Sequence, residues 1–516
     1  MFSMLTFALE VLICFVLVDF VVASQWGSLI AAFMAFLFIL SQLDVLSTSR
    51  KDDKKQGGYG QIQEIKHPLV QMLRPSEIYA VIRYKLGAFS RPSYLGAGLE
   101  ELNLEHEHIE FCSTKLKQVS RSFATVITFL PNKPDAPIRL AVGIFYIVLR
   151  ALDTVEDDMN LSSFDSYVLE EDKKDVEDAR SAAKQRLLCQ FAQRLSDSVE
   201  GNADKHQPLH GFGEGHEREL IENMDAIVYG MSVLPPKLRQ VVLDITEEMG
   251  VGMAGYVSRD LKNGTDDAKD FEQYCHYVAG TVGDGLTRIF ASCGYCPADL
   301  VSHRELWDAM GSFLQRTNII RDYLEDLVDG RAWWPRSVWE LYVTKDAEFG
   351  RSKSLSRLAD SASIEAGHST SCLNHMIADA LEMVGSCLSY LEALNDPDVI
   401  SFCALPQVMA IATLSVCFDN QKVFQGVVKI RKGQAARIML DMSPMEHPTI
   451  FELQQNYLSW FARCTREIQA KARRAATRDP QAQRTDNICG KIIKVVDSKL
   501  QCLQESGRPL GQTHSD

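Results

Sequence analysis

Two separated clusters of acidic residues are the feature of this 516-residue sequence with the clearest chemical meaning. Each cluster places three carboxylates at positions i, i+3 and i+4, which share one face of a helix. They are, in chain order, Asp153, Glu156 and Asp157, then Asp322, Glu325 and Asp326. Carboxylates without cysteine or histidine suit a hard cation such as Mg²⁺, which binds one or two carboxylates together with water and phosphate oxygens. The pattern therefore predicts a site for a Mg²⁺–diphosphate group.

The apolar residues in front of both clusters argue against the alternative, a solvated acidic helix end. Residues 142–149 are apolar almost all round, and an apolar stretch within 313–320 precedes the second cluster. Two buried helices of this kind can face each other across a helical bundle and hold metal between them. Arg150 and Arg321 stand beside the clusters. Each can contact phosphate with its forked guanidinium or neutralise the neighbouring acids, and both roles remain open.

Helical spacing of apolar residues predicts the elements that position these acids. Apolar residues recur three and four positions apart over 138–152, 238–249, 306–327 and 408–430. No run of alternating apolar and polar residues indicates strands. The sequence therefore predicts an all-α fold: a single large helical bundle.

Composition and the N-terminal residues bear on location. The formal net charge of −14 argues against nucleic acid as a partner, and thirteen cysteines without regular spacing indicate reduced thiols. The first 49 residues lack Lys and Arg, and segments 5–23 and 26–46 approach the length of a membrane span. Glu10 and Asp19 weaken the first segment, so one or two spans are predicted. The basic residues that follow, from Arg50 to Lys55, place the rest of the chain in the cytosol.

Changes in composition divide the chain into four parts. We predict a membrane anchor at 1–46, a charged and glycine-rich linker at 47–66, and an all-α catalytic domain at 67–445. An acidic insertion occupies about 161–219 of that domain, and its role is not predicted. The polar residues 446–516 are predicted to form a helical and disordered C-terminal tail.

Six motifs in order over 111–435 resemble the eukaryotic members of the squalene/phytoene synthase family. They are "VSRSFATVI", "ALDTVEDDM", "YCHYVAGTVG", "NIIRDYLED", "FCALPQVMAIATL" and "VKIRKGQA". The resemblance implies the isoprenoid-synthase helical bundle with a central cavity. It also implies head-to-head condensation of two farnesyl diphosphates to presqualene diphosphate, followed by reduction with NADPH to squalene.

The resemblance also implies roles for individual residues. Those for catalysis are Tyr274, Asp153, Asp157, Asp322 and Asp326, and those for Mg²⁺ are Asp153, Glu156, Asp157, Asp322 and Asp326. Those for substrate binding are Phe123, Tyr146, Phe402, Arg150 and Arg321. Those for NADPH are Arg121, Arg150, Arg321, Lys429 and Arg431. No GxGxxG follows a strand, so NADPH is not expected to bind through a Rossmann domain.

The same resemblance implies a monomer in the endoplasmic reticulum membrane, with its catalytic domain facing the cytosol. The family's eukaryotic members usually end in a membrane-spanning tail. This chain ends polar and begins apolar, so an N-terminal anchor is expected instead. Two alternatives remain open: a dehydrosqualene- or phytoene-type synthase that omits the reduction, and a non-catalytic membrane protein that binds prenyl diphosphates.

Overall fold

The computed structural model describes residues 74–85, 93–120, 123–169, 176–343 and 353–511. These residues form helices and connecting turns without a β-strand, which confirms the predicted all-α class. The predicted anchor at 1–46 and linker at 47–66 lie outside the described residues.

The helices are numbered in chain order within these ranges. They are α1 (Pro75–Lys85), α2 (His106–Ser120), α3 (Phe123–Ile127), α4 (Ile138–Asp157), α5 (Val176–Val199), α6 (Gly215–Glu222), α7 (Met224–Ser232), α8 (Pro236–Ala254), α9 (Ala268–Cys275), α10 (Thr281–Ser292), α11 (Arg304–Arg321), α12 (Tyr323–Val328), α13 (Arg336–Trp339), α14 (Ser361–Glu365), α15 (His368–Leu381), α16 (Val384–Ala393), α17 (Pro397–Cys417), α18 (Lys432–Asp441), α19 (Ile450–Ala475) and α20 (Ala482–Ser506). A π-helical turn, His276–Gly280, joins α9 to α10.

Two compact units divide the chain. The first contains α1 and residues 431–440, which comprise Arg431 and most of α18. Within it, Arg431 forms an ion pair with Glu77 over 2.7 Å, and Gly433 lies so close to Glu77 that a Cβ there would be 2.7 Å from the Glu77 Cβ. The second unit holds the described residues from 93 to 430 and from 441 to 511, and it contains the predicted acid clusters.

Helix α4 is buried on nearly every side and carries the first acid cluster at its C-terminal end. Its buried residues run from Ile138 to Glu156, and it packs against α2, α5, α6 and α8. Such an all-round apolar helix is stable only inside a bundle. The acids at its end are therefore held by a rigid element.

Helix α11 leads to the second acid cluster, but the predicted continuous helix over 306–327 is interrupted. Asp322, with φ −95° and ψ 13°, separates α11 from α12. Helix α11 packs against α10, α16 and α17, and it crosses the π-helical turn at Gly311. A Cβ at Gly311 would lie 1.9 Å from the carbonyl oxygen of Ala279, so only glycine permits this crossing.

Helix α17 is long and apolar enough to cross a membrane by length and composition alone, but 83% of its apolar window is buried in the protein. Among the described residues it alone meets that criterion. The predicted helical pattern over 408–430 is wrong beyond Cys417. Phe418, with ψ 129°, ends the helix, and Asp419 follows in a left-handed conformation with φ 54°. Val423 and Phe424 are buried in a short 3₁₀ turn, and residues 427–428 are buried beyond it.

The C-terminal helices α19 and α20 form an antiparallel pair, in which α19 packs on α17 and α20 packs on α15 and α16. Ion pairs join Arg466 to Asp497 and Arg473 to Asp486 along the pair. Leu510, near the end of the described chain, donates its backbone N–H to Gln454 over 2.7 Å. The part of the predicted tail that the structure describes is thus packed against the bundle.

Candidate active site

The first acid cluster holds its carboxylates in a partly buried and crowded place. Glu156 is 7% exposed, and burial raises its pKa. Burial also raises the pKa of Asp153 to about 7, with neighbouring carboxylates adding to the effect and Arg150 opposing it. Keeping these groups ionised together requires cationic partners close by.

The second acid cluster lies across the break between α11 and α12. Burial, together with the carboxylates of Asp322, Asp329 and Glu325, raises the pKa of Asp326 to about 8 against the opposing charge of Arg331. Asp322 is 5% exposed and receives two hydrogen bonds from its neighbour Arg321, of 2.7 and 2.5 Å. This cluster is also short of positive charge.

Arg331 connects the two clusters. Its guanidinium contacts the carboxylates of Glu156 over 2.5 Å and Asp157 over 3.3 Å. Its backbone N–H donates to the carbonyl of Asp326 over 3.0 Å. Burial alone lowers the pKa of Arg331, but the nearby acids outweigh it and raise that pKa, so the side chain stays charged. The clusters therefore approach each other at Arg331, whose guanidinium pairs with the first cluster and whose charge opposes the rise in the pKa of Asp326 in the second.

Tyr274 lies beside this meeting point. Its ring stacks on Trp333 with centroids 3.5 Å apart and 11° between the planes, and Tyr256 contacts it edge-on at 5.2 Å. Arg331 lies over the face of Trp333, 5.4 Å from its centroid. Burial raises the pKa of the Tyr274 hydroxyl well above its usual value, and the charges of Glu156 and Asp157 add to this. Tyr274 is therefore a neutral phenol at physiological pH.

Three of the residues predicted to bind substrate form an aromatic group on different helices. The ring of Phe123 lies 5.5 Å from that of Tyr146 and 5.7 Å from that of Phe402. Phe290 meets Phe402 edge-on at 6.1 Å. Pro406 has no N–H to bond the carbonyl of Phe402, so the helix ladder of α17 is interrupted where this ring is presented. Phe123 and Tyr146 are half-buried, which leaves part of the group open.

The predicted basic residues lie in different surroundings. Arg150 forms ion pairs with Glu217 and, over 3.8 Å, with Asp153, while its buried Nε has no hydrogen-bond partner. Lys429 is exposed, and its charge opposes the rise in the pKa of Glu325. Arg431 belongs to the other unit, where it pairs with Glu77. Arg121 lies outside the described residues.

Oxygen ligands dominate the two clusters, and this donor set fits Mg²⁺. Within the described residues, no three His, Cys, Asp or Glu side chains lie close enough to hold a metal ion by themselves. A metal ion at these clusters would thus take part of its coordination shell from elsewhere, such as water and phosphate oxygens.

Sequence reasoning missed three residues of the site. Arg331 and Trp333 lie in a loop, where no periodicity marks them, although their sequence "GRAWWP" follows the second cluster closely. Lys184 is 4% exposed, and its ammonium donates to the carbonyl of Glu156. The sequence could have indicated Lys184, because this lysine interrupts the apolar face formed by Ala183, Leu187 and Leu188 on α5.

Comparison with known proteins finds consistent similarity. The family model for squalene/phytoene synthase matches residues 116–434. Squalene synthase of Mus musculus is 36% identical over 420 residues, which cover 81% of this chain and 86% of that protein. Squalene synthase ERG9 of Candida albicans is 36% identical over 422 residues, covering 81% and 82%. A solved complex of TcSQS with the ligand BPH1237 superposes with a TM-score of 0.63 at 35% identity, covering 76% of this chain and 99% of that chain.

Proposed function

We propose that this chain, which belongs to the squalene/phytoene synthase family, condenses two farnesyl diphosphates head to head and reduces the product to squalene. The relatives that share most of its length are named squalene synthases, which favours this activity over the two alternatives. Among the described residues, the observation that carries the proposal is the meeting of both acid clusters at Arg331, next to Tyr274.

The two acid clusters each bind one diphosphate through Mg²⁺ in this proposal. Asp153, Glu156 and Asp157 serve one diphosphate, and Asp322 and Asp326 serve the other. Bound Mg²⁺ neutralises the leaving diphosphate and so favours ionisation of its carbon–oxygen bond. The raised pKa values of Asp153 and Asp326 support this assignment, because crowded carboxylates gain most from a divalent cation.

The other side chains bind diphosphate, handle the proton and exclude water. Arg150 and Arg321 contact phosphate oxygens from beside the clusters, as forked guanidinium groups can. Tyr274, a neutral phenol, assists removal of the proton that is lost during condensation. The face of its ring stabilises positive charge on the reacting carbons. The rings of Phe123, Tyr146 and Phe402 keep water from the same carbons.

NADPH supplies the hydride for the second half-reaction. Lys429 and Arg431, with Arg121, Arg150 and Arg321, are the basic residues that bind it in this proposal. Support comes from the basic sequence "KIRKG" in a chain that is acidic overall. The chain acts as a monomer anchored by its N-terminal segment in the endoplasmic reticulum membrane, with the catalytic domain in the cytosol.

Product analysis of the purified full chain in detergent tests the function. Incubation with farnesyl diphosphate, Mg²⁺ and NADPH should give squalene. Without NADPH it should give presqualene diphosphate or unreduced products derived from it. Formation of dehydrosqualene that NADPH leaves unchanged would instead identify a synthase without reduction. Binding of farnesyl diphosphate without its consumption would identify the non-catalytic alternative.

A further inference from the structure

The acidic insertion at about 161–219, for which the sequence predicts no role, packs around the end of α4. Its aromatic residues form a small core of their own, with Phe164 and Phe212 fully buried and their ring centroids 5.0 Å apart. Helix α5 of this segment packs against α8 and α4. Helix α6, which ends at Glu222, three residues after the end of the insertion, also packs against α4. We call the described residues of this segment, 161–169 and 176–222, the brace.

Lys184 of the brace caps the C-terminal end of α4. The last four carbonyls of an α-helix have no partner within the helix. Helix α4 ends at Asp157 with Asp158 extended, so it lacks the glycine motif that often satisfies them. The Lys184 ammonium donates instead to the carbonyl of Glu156 and, over 3.2 Å, to that of Asp158. It thereby fixes the backbone on which the first acid cluster stands.

The brace also holds the preceding turn of α4. Glu217 of α6 pairs with Arg150, about one turn before Asp153, the first acid of the cluster. The loop before α6 approaches α4 closely, since a Cβ at Gly213, where φ is 65°, would lie 2.4 Å from the Thr154 Cγ2. Side chains and loop of the brace thus contact α4 at Arg150, Thr154 and Glu156, around the positions of the three acids.

Packing alone does not account for a lysine at position 184. A buried ammonium loses its hydration, which is costly unless hydrogen bonds and opposite charges replace the water. An apolar residue would continue the apolar face of α5 without that cost. Two carbonyls and the face of Phe164, 5.7 Å away, replace the lost hydration of the Lys184 ammonium. The ammonium also places positive charge beside the first acid cluster.

We propose that the brace positions the first acid cluster for Mg²⁺–diphosphate, with Lys184 as its principal positioning residue. The inference rests on the proposed function, because it concerns the same site. Groups that orient metal ligands typically change metal affinity or activity by about 10- to 100-fold when they are replaced. We expect an effect of that size for Lys184.

The test compares Lys184→Met with the matched control Arg180→Met in the full chain. Arg180 lies on the same helix, and its ion pair with Asp165 is within the brace and away from the acids. Calorimetric titration with Mg²⁺ and inorganic diphosphate measures affinity. Hydrogen exchange of residues 153–160 measures the order of the cluster. In Lys184→Met the dissociation constant should rise about 10- to 100-fold and exchange in that segment should quicken, whereas Arg180→Met should match the wild type.

Raising the Mg²⁺ concentration should recover much of the turnover of Lys184→Met, as expected for a lost affinity. Unchanged affinity and unchanged exchange in that variant would overturn the proposal while leaving the proposed function intact. Failure of the wild-type chain to bind Mg²⁺–diphosphate would overturn both. If Lys184→Met does not fold, the same titration is carried out on the variant Glu217→Gln instead. It releases the brace from Arg150 and should raise the dissociation constant about 10-fold, and an unchanged constant would refute the brace.

Discussion

Replacing Arg331 by glutamine should destabilise the chain because it leaves Glu156 without its guanidinium partner. The Arg331 side chain is 16% exposed and that of Glu156 is 9% exposed, so water replaces the lost contact poorly. Lys184 remains near Glu156, but its ammonium donates to backbone carbonyls. The variant therefore keeps a buried carboxylate whose compensation is incomplete.

The size of the effect follows from burial. Removing one partner of a buried ion pair typically costs about 3–5 kcal/mol. Part of the Arg331 interaction goes to Asp157, whose side chain is 48% exposed and contributes less. We therefore expect Arg331→Gln to lower the free energy of unfolding by about 2–4 kcal/mol at pH 8. The loss should shrink as the pH falls, because removing Arg331 further raises the pKa of Glu156, and a protonated Glu156 is neutral.

Urea unfolding followed by circular dichroism measures this loss, at pH 8 and at pH 6. Arg336→Gln is the control, since its pair with Glu340 is exposed and 3.9 Å long, and it should change stability by less than about 1 kcal/mol. Addition of Mg²⁺ should restore part of the stability of Arg331→Gln, because the ion supplies the missing positive charge. A variant as stable as the control, with no dependence on pH or Mg²⁺, would refute the charge balance described for this site.

Three further predictions concern the proposed function. Asp153→Asn or Asp322→Asn should nearly abolish turnover of farnesyl diphosphate with unchanged helix content by circular dichroism, and near-normal rates would remove the assignment of the clusters. Deletion of residues 1–60 should give a soluble and active enzyme, and an insoluble or inactive product would show that this segment is needed for folding. Replacing Lys429 and Arg431 by alanine should weaken NADPH binding by about one to three orders of magnitude, since each charge-assisted contact is worth about 1.5–3 kcal/mol. Unreduced products should then accumulate at low NADPH, whereas a parallel fall in condensation would contradict the cofactor assignment.

The sequence was a good guide to the helices and a poorer guide to where they end. The apolar periodicity of 138–152 correctly indicated α4, because every residue of that stretch except Tyr146 and Arg150 is buried. The same periodicity misled over 408–430, where apolar residues are buried in a non-helical segment. The spacing of apolar residues indicates which positions are buried, and a short buried turn can show the same spacing as a helix. The break at Asp322 was missed for the same reason, since the residues on both sides remain buried.

The acids of the site and the arginines next to them in sequence, Arg150 and Arg321, could be predicted, but the partners that lie far away in the chain could not. Spacing three and four residues apart is a local property, and it marked both clusters. The contacts of Arg331 with Glu156 and of Lys184 with the end of α4 join residues far apart in the chain, and only tertiary packing creates them. The stack of Tyr274 on Trp333 is of the same kind. Local patterns therefore identified the acids and the arginines beside them, while Arg331 and Lys184 emerged only from the fold.

The charge balance of the site bears on the order in which its ligands bind. Burial is the main cause of the raised pKa values of Asp153 and Asp326, neighbouring carboxylates add to it, and the chain's own cations do not fully offset these two effects. No trio of potential ligand side chains among the described residues is arranged to hold an ion alone. An ion that arrives with diphosphate brings oxygen ligands with it, whereas a free ion must find them in water. We therefore infer that Mg²⁺ and diphosphate strengthen each other's binding. Because such coupling is reciprocal, diphosphate should raise the affinity for Mg²⁺ by the same factor by which Mg²⁺ raises the affinity for diphosphate.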